Sequence, residues 1–251
     1  MQCRLVVFDL DGTLAKSKCQ MDEEMSAILQ NLLKTKSVGV MSGGSYSQFQ
    51  KQFLSSLKCN DNNLLKNLFL FPTCSTAFYR FGNGEWIKVY AEALSEQEKR
   101  KIFDAFGKVF MGISFSPENV YGEIVEDRGS QVTFSALGQQ APLELKKEWD
   151  PDSKKRLQMK ALLEKHIPEF EIRIGGTTSI DVTRKGIDKQ YGIKQIEKIL
   201  GFRKEEIIFV GDALFEGGND YPVRQYGVRC IEVASPEDTK REVLKIISGQ
   251  F

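Results

Sequence analysis

Histidine is almost missing from this chain: a single residue, His166, among 251. A histidine-based zinc site or a Ser-His-Asp triad therefore has little support. His166 precedes Pro168 in a charged stretch and is expected at a helix end. The five cysteines (Cys3, Cys19, Cys59, Cys74, Cys230) are odd in number and form no Cys-x-x-Cys pair. That spacing disfavours a disulfide framework and predicts reduced thiols in a cytoplasmic protein. Neither charge dominates: 35 Lys and Arg face 34 Asp and Glu, a net +1, so nucleic acid and membrane surfaces have no electrostatic case as partners. No apolar run approaches the roughly 20 residues that a spanning helix needs. The first residues run straight into a strand without a signal-peptide pattern, and there is no repeat or low-complexity stretch. Hydrophobic content of 41% and charged content of 27% are ordinary for a soluble globular protein. The length suits one large domain carrying an insertion, or two domains.

Leu5-Val6-Val7-Phe8-Asp9-Leu10-Asp11-Gly12-Thr13-Leu14 organises the rest. Its apolar run reads as a strand buried on both faces of a parallel sheet, and it ends in two carboxylates two residues apart. Asp22 is a helix N-cap candidate, followed by Met25, Ile28, Leu29, Leu32 and Leu33 at helical spacing. Val38–Met41 reads as a second strand, ending in Ser42-Gly43-Gly44-Ser45, small residues whose amides suit an anion. A helix burying Phe49, Phe53, Leu54 and Leu57 comes next, then a polar break at Asn60–Asn63, then a strand at Leu68–Phe71. Strand, helix, strand, helix, strand is the rhythm of a doubly wound α/β core.

The rhythm then changes. Ala77–Phe81 and Glu85–Tyr90 alternate around Asn83-Gly84, a hairpin signal. Ser95 and Glu98 form a capping-box pattern before a helix expected to bury Ile102, Phe103, Phe106, Val109 and Phe110. Strands are predicted near Tyr121–Val125, Gln131–Ala136, Phe170–Thr177 and Ser179–Val182. A helix from Pro151 to about Lys165 would turn Leu157, Ala161 and Leu162 inward. This segregated α+β pattern marks an inserted cap at 85–183, with residues 1–84 and 184–251 forming the α/β core. Core elements resume with Lys189 before a helix through Tyr191, Ile193, Ile196, Ile199 and Leu200. A buried strand at Glu206–Asp212, a loop through Gly217-Gly218-Asn219-Asp220, a strand at Val228–Val233 and a helix opened by Ser235-Pro236 complete the core.

In a parallel sheet the strand ends share one edge, so Asp9, Asp11, Ser42, Lys189 and Asp212 are expected to meet. Two neighbouring carboxylates repel unless a cation or a shared proton intervenes. Magnesium, which takes hard oxygen ligands, fits Asp9, Asp11 through its backbone carbonyl, Asp212, Asn219 and Asp220. A carboxylate can attack phosphorus itself: Asp9 is assigned that role, Asp11 the acid–base role. Ser42, with Gly43 and Gly44, would hold the phosphoryl oxygens, and Lys189 would balance the charge.

At these residues the sequence resembles the haloacid dehalogenase superfamily of magnesium-dependent phosphotransferases, over essentially the whole chain. The placement of the insertion is similar to that of the Cof-like subclass IIB. Gly43-Gly44-Ser45, Gly175-Gly176-Thr177-Thr178-Ser179-Ile180-Asp181-Val182, Gly186-Ile187-Asp188-Lys189 and Gly211-Asp212 with Gly217-Gly218-Asn219-Asp220 look most like the eukaryotic-type phosphomannomutase family. The resemblance implies a cap that binds sugar phosphate through arginines and a Ser–Asp pair, matched here by Arg128, Ser179 and Asp181. It also implies either a monomer or a homodimer formed through caps; helical spacing puts Phe103, Phe106 and Phe110 in the cap core. Two departures stand out. Leu137-Gly138-Gln139-Gln140 replaces a Gly-Arg-Ser segment, which places Gln139 where the family has an arginine. Thr73-Cys74-Ser75-Thr76 replaces an Asn-Gly turn. The expectation is a magnesium-dependent phosphatase or phosphotransferase acting on a small phosphorylated metabolite, most simply a sugar phosphate. The alternatives are a phosphomannomutase and a non-catalytic sugar-phosphate-binding regulator.

Overall fold

β1 (Leu5–Asp9) is buried at all five positions, as its unbroken apolar run requires. In this computed structural model, which describes residues 3–250, Val6 and Phe8 pack into one core cluster and Leu5 and Val7 into another. That division is the period-two alternation of a strand covered on both faces. Asp22 accepts the Met25 amide at 2.8 Å and starts α1 (Glu23–Leu33), whose buried apolar residues are those that the spacing selects. β2 (Ser37–Met41) follows. The next helical run is not one α-helix: α2 (Tyr46–Phe49) and α3 (Ser55–Leu57) flank a π-helical turn at Gln50–Leu54. Phe49, Phe53 and Leu57 are buried as expected; Leu54 is only partly so. The expected break at Asn60–Asn63 contains the start of a helical turn, α4 (Asn62–Leu65), because Asp61 caps it. β3 (Leu68–Phe71) leads to Thr73, Cys74 and Ser75, all left-handed at φ 51, 54 and 67°. β4 (Ala77–Gly82) and β5 (Glu85–Ala91) form the expected hairpin, with Asn83 and Gly84 left-handed in its turn.

The chain next builds a separate unit, Glu92–Ile187. The Ser95–Glu98 capping box opens α5 (Glu96–Gly112). Ile102, Phe106 and Val109 are buried, but Phe103 is 39% exposed and so lies off the inner face. β6 (Val125–Asp127) falls later than the expected Tyr121–Val125; β7 (Val132–Ser135) is close to expectation. α6 (Leu143–Trp149) has no counterpart in the sequence reading. α7 (Lys154–His166) starts after Pro151 rather than on it and ends in His166. Its buried residues are Arg156, Met159 and Leu163, while Leu157 is 54% exposed, which corrects the expected inner face. The cause is an ion pair: Arg156 Nε donates to Asp150 Oδ2 at 2.8 Å, both side chains being buried, and this fixes the helix rotation. β8 (Phe170–Gly175) and β9 (Ser179–Arg184) complete an antiparallel sheet of order β6-β7-β9-β8, an α+β cap.

From Asp188 the core resumes with α8 (Lys189–Gln195), β10 (Ile207–Gly211), α9 (Tyr221–Tyr226), β11 (Arg229–Glu232) and α10 (Pro236–Ser248), capped by Ser235. The core sheet has seven strands, β11-β10-β1-β2-β3-β4-β5. The first five are parallel, and the hairpin joins antiparallel. Among the described residues the core unit therefore comprises 3–91 and 188–250, where the sequence pattern put its inner boundaries at 84 and 184. β5 shares an edge-long ladder with β4, so the hairpin belongs to the core sheet and moves the boundary from 85 to 92. Fold class is as expected: α/β, a doubly wound parallel-sheet core with an inserted α+β cap.

Candidate active site

Strand order decides which side chains meet. β1 lies between β10 and β2, so the ends that carry Asp9, Asp212 and Ser42 are neighbours on one edge. Lys189 arrives not from a strand but as the first residue of α8, whose N-cap Asp188 accepts the Tyr191 amide. Its ammonium lies 2.5 Å from Asp9 Oδ1 and also pairs with Asp220 Oδ1. All three residues are buried: Asp9 and Lys189 are 3% exposed, Asp220 fully enclosed. Asp220 turns its other oxygen to the Ala213 amide at 3.1 Å, which ties the Gly217–Asp220 loop to the end of β10.

Asp9, Asp212 and Asp220 each offer a carboxylate oxygen within 4.8 Å of the others. Burial pushes the Asp9 carboxyl well above its ordinary range; Lys189 pulls it down, and Asp220 and Asp212 push it further up. Asp212 is raised by burial and by Asp220. On Lys189 burial acts downward, yet Asp220 and Asp9 outweigh it and the ammonium stands above its ordinary value. Three converging carboxylates with one lysine lack positive charge. Hard oxygen donors in that state fit a divalent cation of the magnesium type.

Asp11 stands apart from this group. Its Oδ1 accepts the Lys18 amide at 2.6 Å and the Gln52 amide group at 2.9 Å, and its Oδ2 accepts the Ser42 hydroxyl at 3.4 Å. Gln52 was not legible in the sequence; it sits on the π-helical turn, and such turns recur at functional sites. Gly12, at φ +94°, permits the turn immediately after Asp11, and a Cβ there would overlap Asp212 Oδ2.

The Ser42–Ser45 loop differs in one respect from expectation. The Gly44 amide bonds Ser42 Oγ at 3.1 Å and the Ser45 amide bonds Gln48 Oε1 at 2.7 Å, so the Gly44 amide is engaged within the loop. The same loop is fastened from outside: Thr73 and Cys74 donate their amides to the Gly44 and Ser42 carbonyls at 2.8 and 2.9 Å. Asn219 is half-buried and precedes Asp220.

Within the cap, Ser179 and Asp181 stand two apart on β9 and share a sheet face. Asp181 Oδ1 accepts from Gln131 Nε2 and Thr133 Oγ1, both at 2.8 Å. Gln131 and Thr133 were not singled out in the sequence; their alternation, Gln131 just before β7 and Thr133 on it beside β9, was the available signal. Arg128 pairs with Glu126, NH2 to Oε2 at 2.7 Å. Gln139 lies in the loop after β7, where its carbonyl accepts the Lys146 ammonium at 2.7 Å.

The sequence pattern described as Eukaryotic phosphomannomutase matches residues 25–249. This chain belongs to that family. The phosphomannomutase of Schizosaccharomyces pombe is 30% identical to it over 254 residues, which cover 97% of this chain and 94% of that protein. That of Encephalitozoon cuniculi is 29% identical over 245 residues, 95% and 91% of the two chains. Among solved structures, IMP-bound, N-terminally truncated IMP-nucleotidase of Plasmodium falciparum superposes with a TM-score of 0.71 at 18% identity, over 99% of this chain and 68% of that one. A haloacid dehalogenase-like hydrolase from Bacteroides thetaiotaomicron gives 0.64 at 13% identity, over 98% and 100%. At such identities the likeness establishes the haloacid dehalogenase fold. As a member of the phosphomannomutase family with that fold, the chain is a phosphotransferase of the haloacid dehalogenase type. Among the described residues no helix is long and apolar enough to cross a membrane.

Proposed function

We propose that this protein transfers the phosphoryl group of a sugar phosphate to water by way of Asp9. The carrying observation is the buried bridge of Lys189 between Asp9 and Asp220, with Asp212 beside it and Asp11 held apart. Lys189 fixes the Asp9 carboxylate by one oxygen and supplies positive charge where a phosphate would arrive. Attack of Asp9 on phosphorus forms the O–P bond as the ester oxygen leaves, and that oxygen takes its proton from Asp11. Asp11 then accepts a proton from the water that attacks the aspartyl-phosphate and releases inorganic phosphate. Gln52, the Lys18 amide and Ser42 orient Asp11 for both transfers. Asp9, Asp212 and Asp220, with Asn219 and the Asp11 carbonyl nearby in sequence, would hold magnesium. The ion, when bound, offsets the charge between phosphate and carboxylates.

A pure sugar-phosphate binder has no use for an acid–base carboxylate held this way. The five cysteines are free thiols, in keeping with a reducing cytoplasm. In the cap, Ser179, Asp181 and Arg128 would contact the sugar, with Gln139 in place of an arginine. Membership of the phosphomannomutase family favours a second reading, in which the phosphoryl group returns to a different hydroxyl of the sugar. Assay of hexose monophosphates with and without a hexose bisphosphate decides between them. Stoichiometric free phosphate supports hydrolysis; accumulation of mannose 6-phosphate from mannose 1-phosphate, dependent on the bisphosphate, supports the mutase. Full magnesium-dependent hydrolysis by Asp9→Asn overturns both.

A further inference from the structure

One end of the core sheet carries positive charge that the chemistry at Asp9 does not use. Arg4, Lys36 and Asn67 immediately precede β1, β2 and β3. These strands run parallel, with Leu5 beside Ser37 and Val38 beside Leu68, so the three residues stand on the edge opposite Asp9 and Ser42. At about 3.3 Å per residue, Arg4 is roughly 16 Å from Asp9 along β1. Lys34, just past the end of α1, returns to the same edge. Together with Ser37 and Phe202 these residues line a cavity of about 310 Å³, and among the described residues no carboxylate lines it.

The positive charge there is in surplus. Glu206 pairs with Arg4 at 3.3 Å and with Arg203 at 3.5 Å, one carboxylate for two guanidiniums. Arg4 is further held over the Phe202 ring, 5.4 Å from its centre. Among the described residues the ammoniums of Lys34 and Lys36 have neither an ion pair nor a hydrogen-bond acceptor. Capping α1 does not occupy them. The Asn31 and Leu32 carbonyls take the backbone amides of Lys34, Thr35 and Lys36, and the Leu33 carbonyl takes the Asn67 side-chain amide. Burial raises the pKa of the Cys3 thiol and Lys36 and Arg229 act against it, so Arg229 at the start of β11 adds to the same field. A concave space lined by charge of one sign concentrates the opposite ion.

We propose that this cavity binds a small anion of the phosphate class that carries more than one negative charge, at a site separate from that of phosphoryl transfer. Lys34 and Lys36 meet it as point charges, and Arg4 with the Asn67 and Ser37 side chains as hydrogen-bond donors. The volume lies at the lower end of the roughly 300–1,000 Å³ of ligand sites. Phe202, the one aromatic lining residue, is engaged by Arg4. Both features select a compact polyphosphate over a nucleotide.

Calorimetric titration of the full chain with inorganic pyrophosphate in excess EDTA tests this, because without metal the carboxylates around Asp9 repel an anion. One pyrophosphate should bind per chain, and a nucleoside triphosphate should bind no more tightly. Lys34→Gln and Lys36→Gln should each weaken pyrophosphate about tenfold. Lys34 is exposed, so its variant decides the matter even where Lys36→Gln lowers the thermal midpoint. Lys245→Gln, which removes an equal charge from α10, and Ser42→Ala, at the other edge of the sheet, should leave the affinity unchanged. No binding by the parent, undiminished binding in Lys34→Gln, equal weakening by Lys245→Gln, loss in Ser42→Ala or tighter binding of the nucleotide would each overturn the proposal.

Discussion

Lys189 and Asp9 are 180 positions apart in sequence and 2.5 Å apart in space. Their contact closes the core across the inserted segment and couples the start of α8, the first core element after it, to the first strand. Both side chains are withdrawn from water, so the pair matters to stability as well as to chemistry. Lys189→Met leaves Asp9 and Asp220 buried beside each other without their cation. The expected loss is about 3 kcal/mol of unfolding free energy, read from urea denaturation. A loss below about 1 kcal/mol, the level of an exposed pair, would show that the bridge is not buried as described.

Gly12 offers a sharper separation of site from scaffold. Its left-handed φ and the overlap of any Cβ with Asp212 make Gly12→Ala a displacement of one candidate metal ligand. Activity should fall at least about a hundredfold and the magnesium concentration for half-activity should rise. The stability cost is expected near 1–2 kcal/mol. Wild-type magnesium dependence in this variant would contradict the placement of Asp212.

At Ser75 the expected change is a gain. The residue is buried and left-handed, and among the described residues its hydroxyl has no hydrogen-bond partner. Ser75→Gly removes both penalties and keeps the carbonyl that accepts Tyr90 Oη at 3.0 Å. Stability should rise by about 1 kcal/mol, measured by thermal or urea unfolding. A fall would show that the Ser75 side chain packs usefully against Gly192.

Glu98 gives the cap an acid-sensitive clamp. The Arg184 guanidinium grips its carboxylate at 2.7 and 2.9 Å, and with the Ser95 amide holds its pKa down to about 2. A carboxyl depressed on folding contributes stability above its unfolded pKa, near 4.5, and loses it as pH falls through the folded value. Arg184 is 39% exposed and screened, so the contribution is about 1 kcal/mol. Glu98→Gln should be less stable than wild type by that amount at pH 6, and the difference should vanish toward pH 2. A difference independent of pH would contradict the ion pair.

The core was largely legible because its strands are unbroken apolar runs, and a run buried on both faces leaves little choice of partner. Asp9, Ser42 and Asp212 followed from the rule that parallel strands end on one edge, and Lys189 and Asp220 from the Gly186–Lys189 and Gly217–Asp220 strings. The cap was less legible. The rotation of α7 depends on Asp150 meeting Arg156, a contact that no hydrophobic period encodes. Lys146 sits on α6, a helix too short to leave a periodic signal. Gln52 reached Asp11 because a π-helical turn shifts the helix face. Residue spacing predicts which faces are apolar, but not where a polar side chain finds its partner.

The central claim is that phosphorus passes through Asp9. Acid quench during turnover of a hexose phosphate with magnesium, followed by peptide mass spectrometry, tests it directly. The account predicts one added phosphoryl group on the peptide that contains Asp9, greater accumulation of it in Asp11→Asn and none in Asp9→Asn. Phosphoryl on another residue, or undiminished hydrolysis by Asp9→Asn, would contradict it.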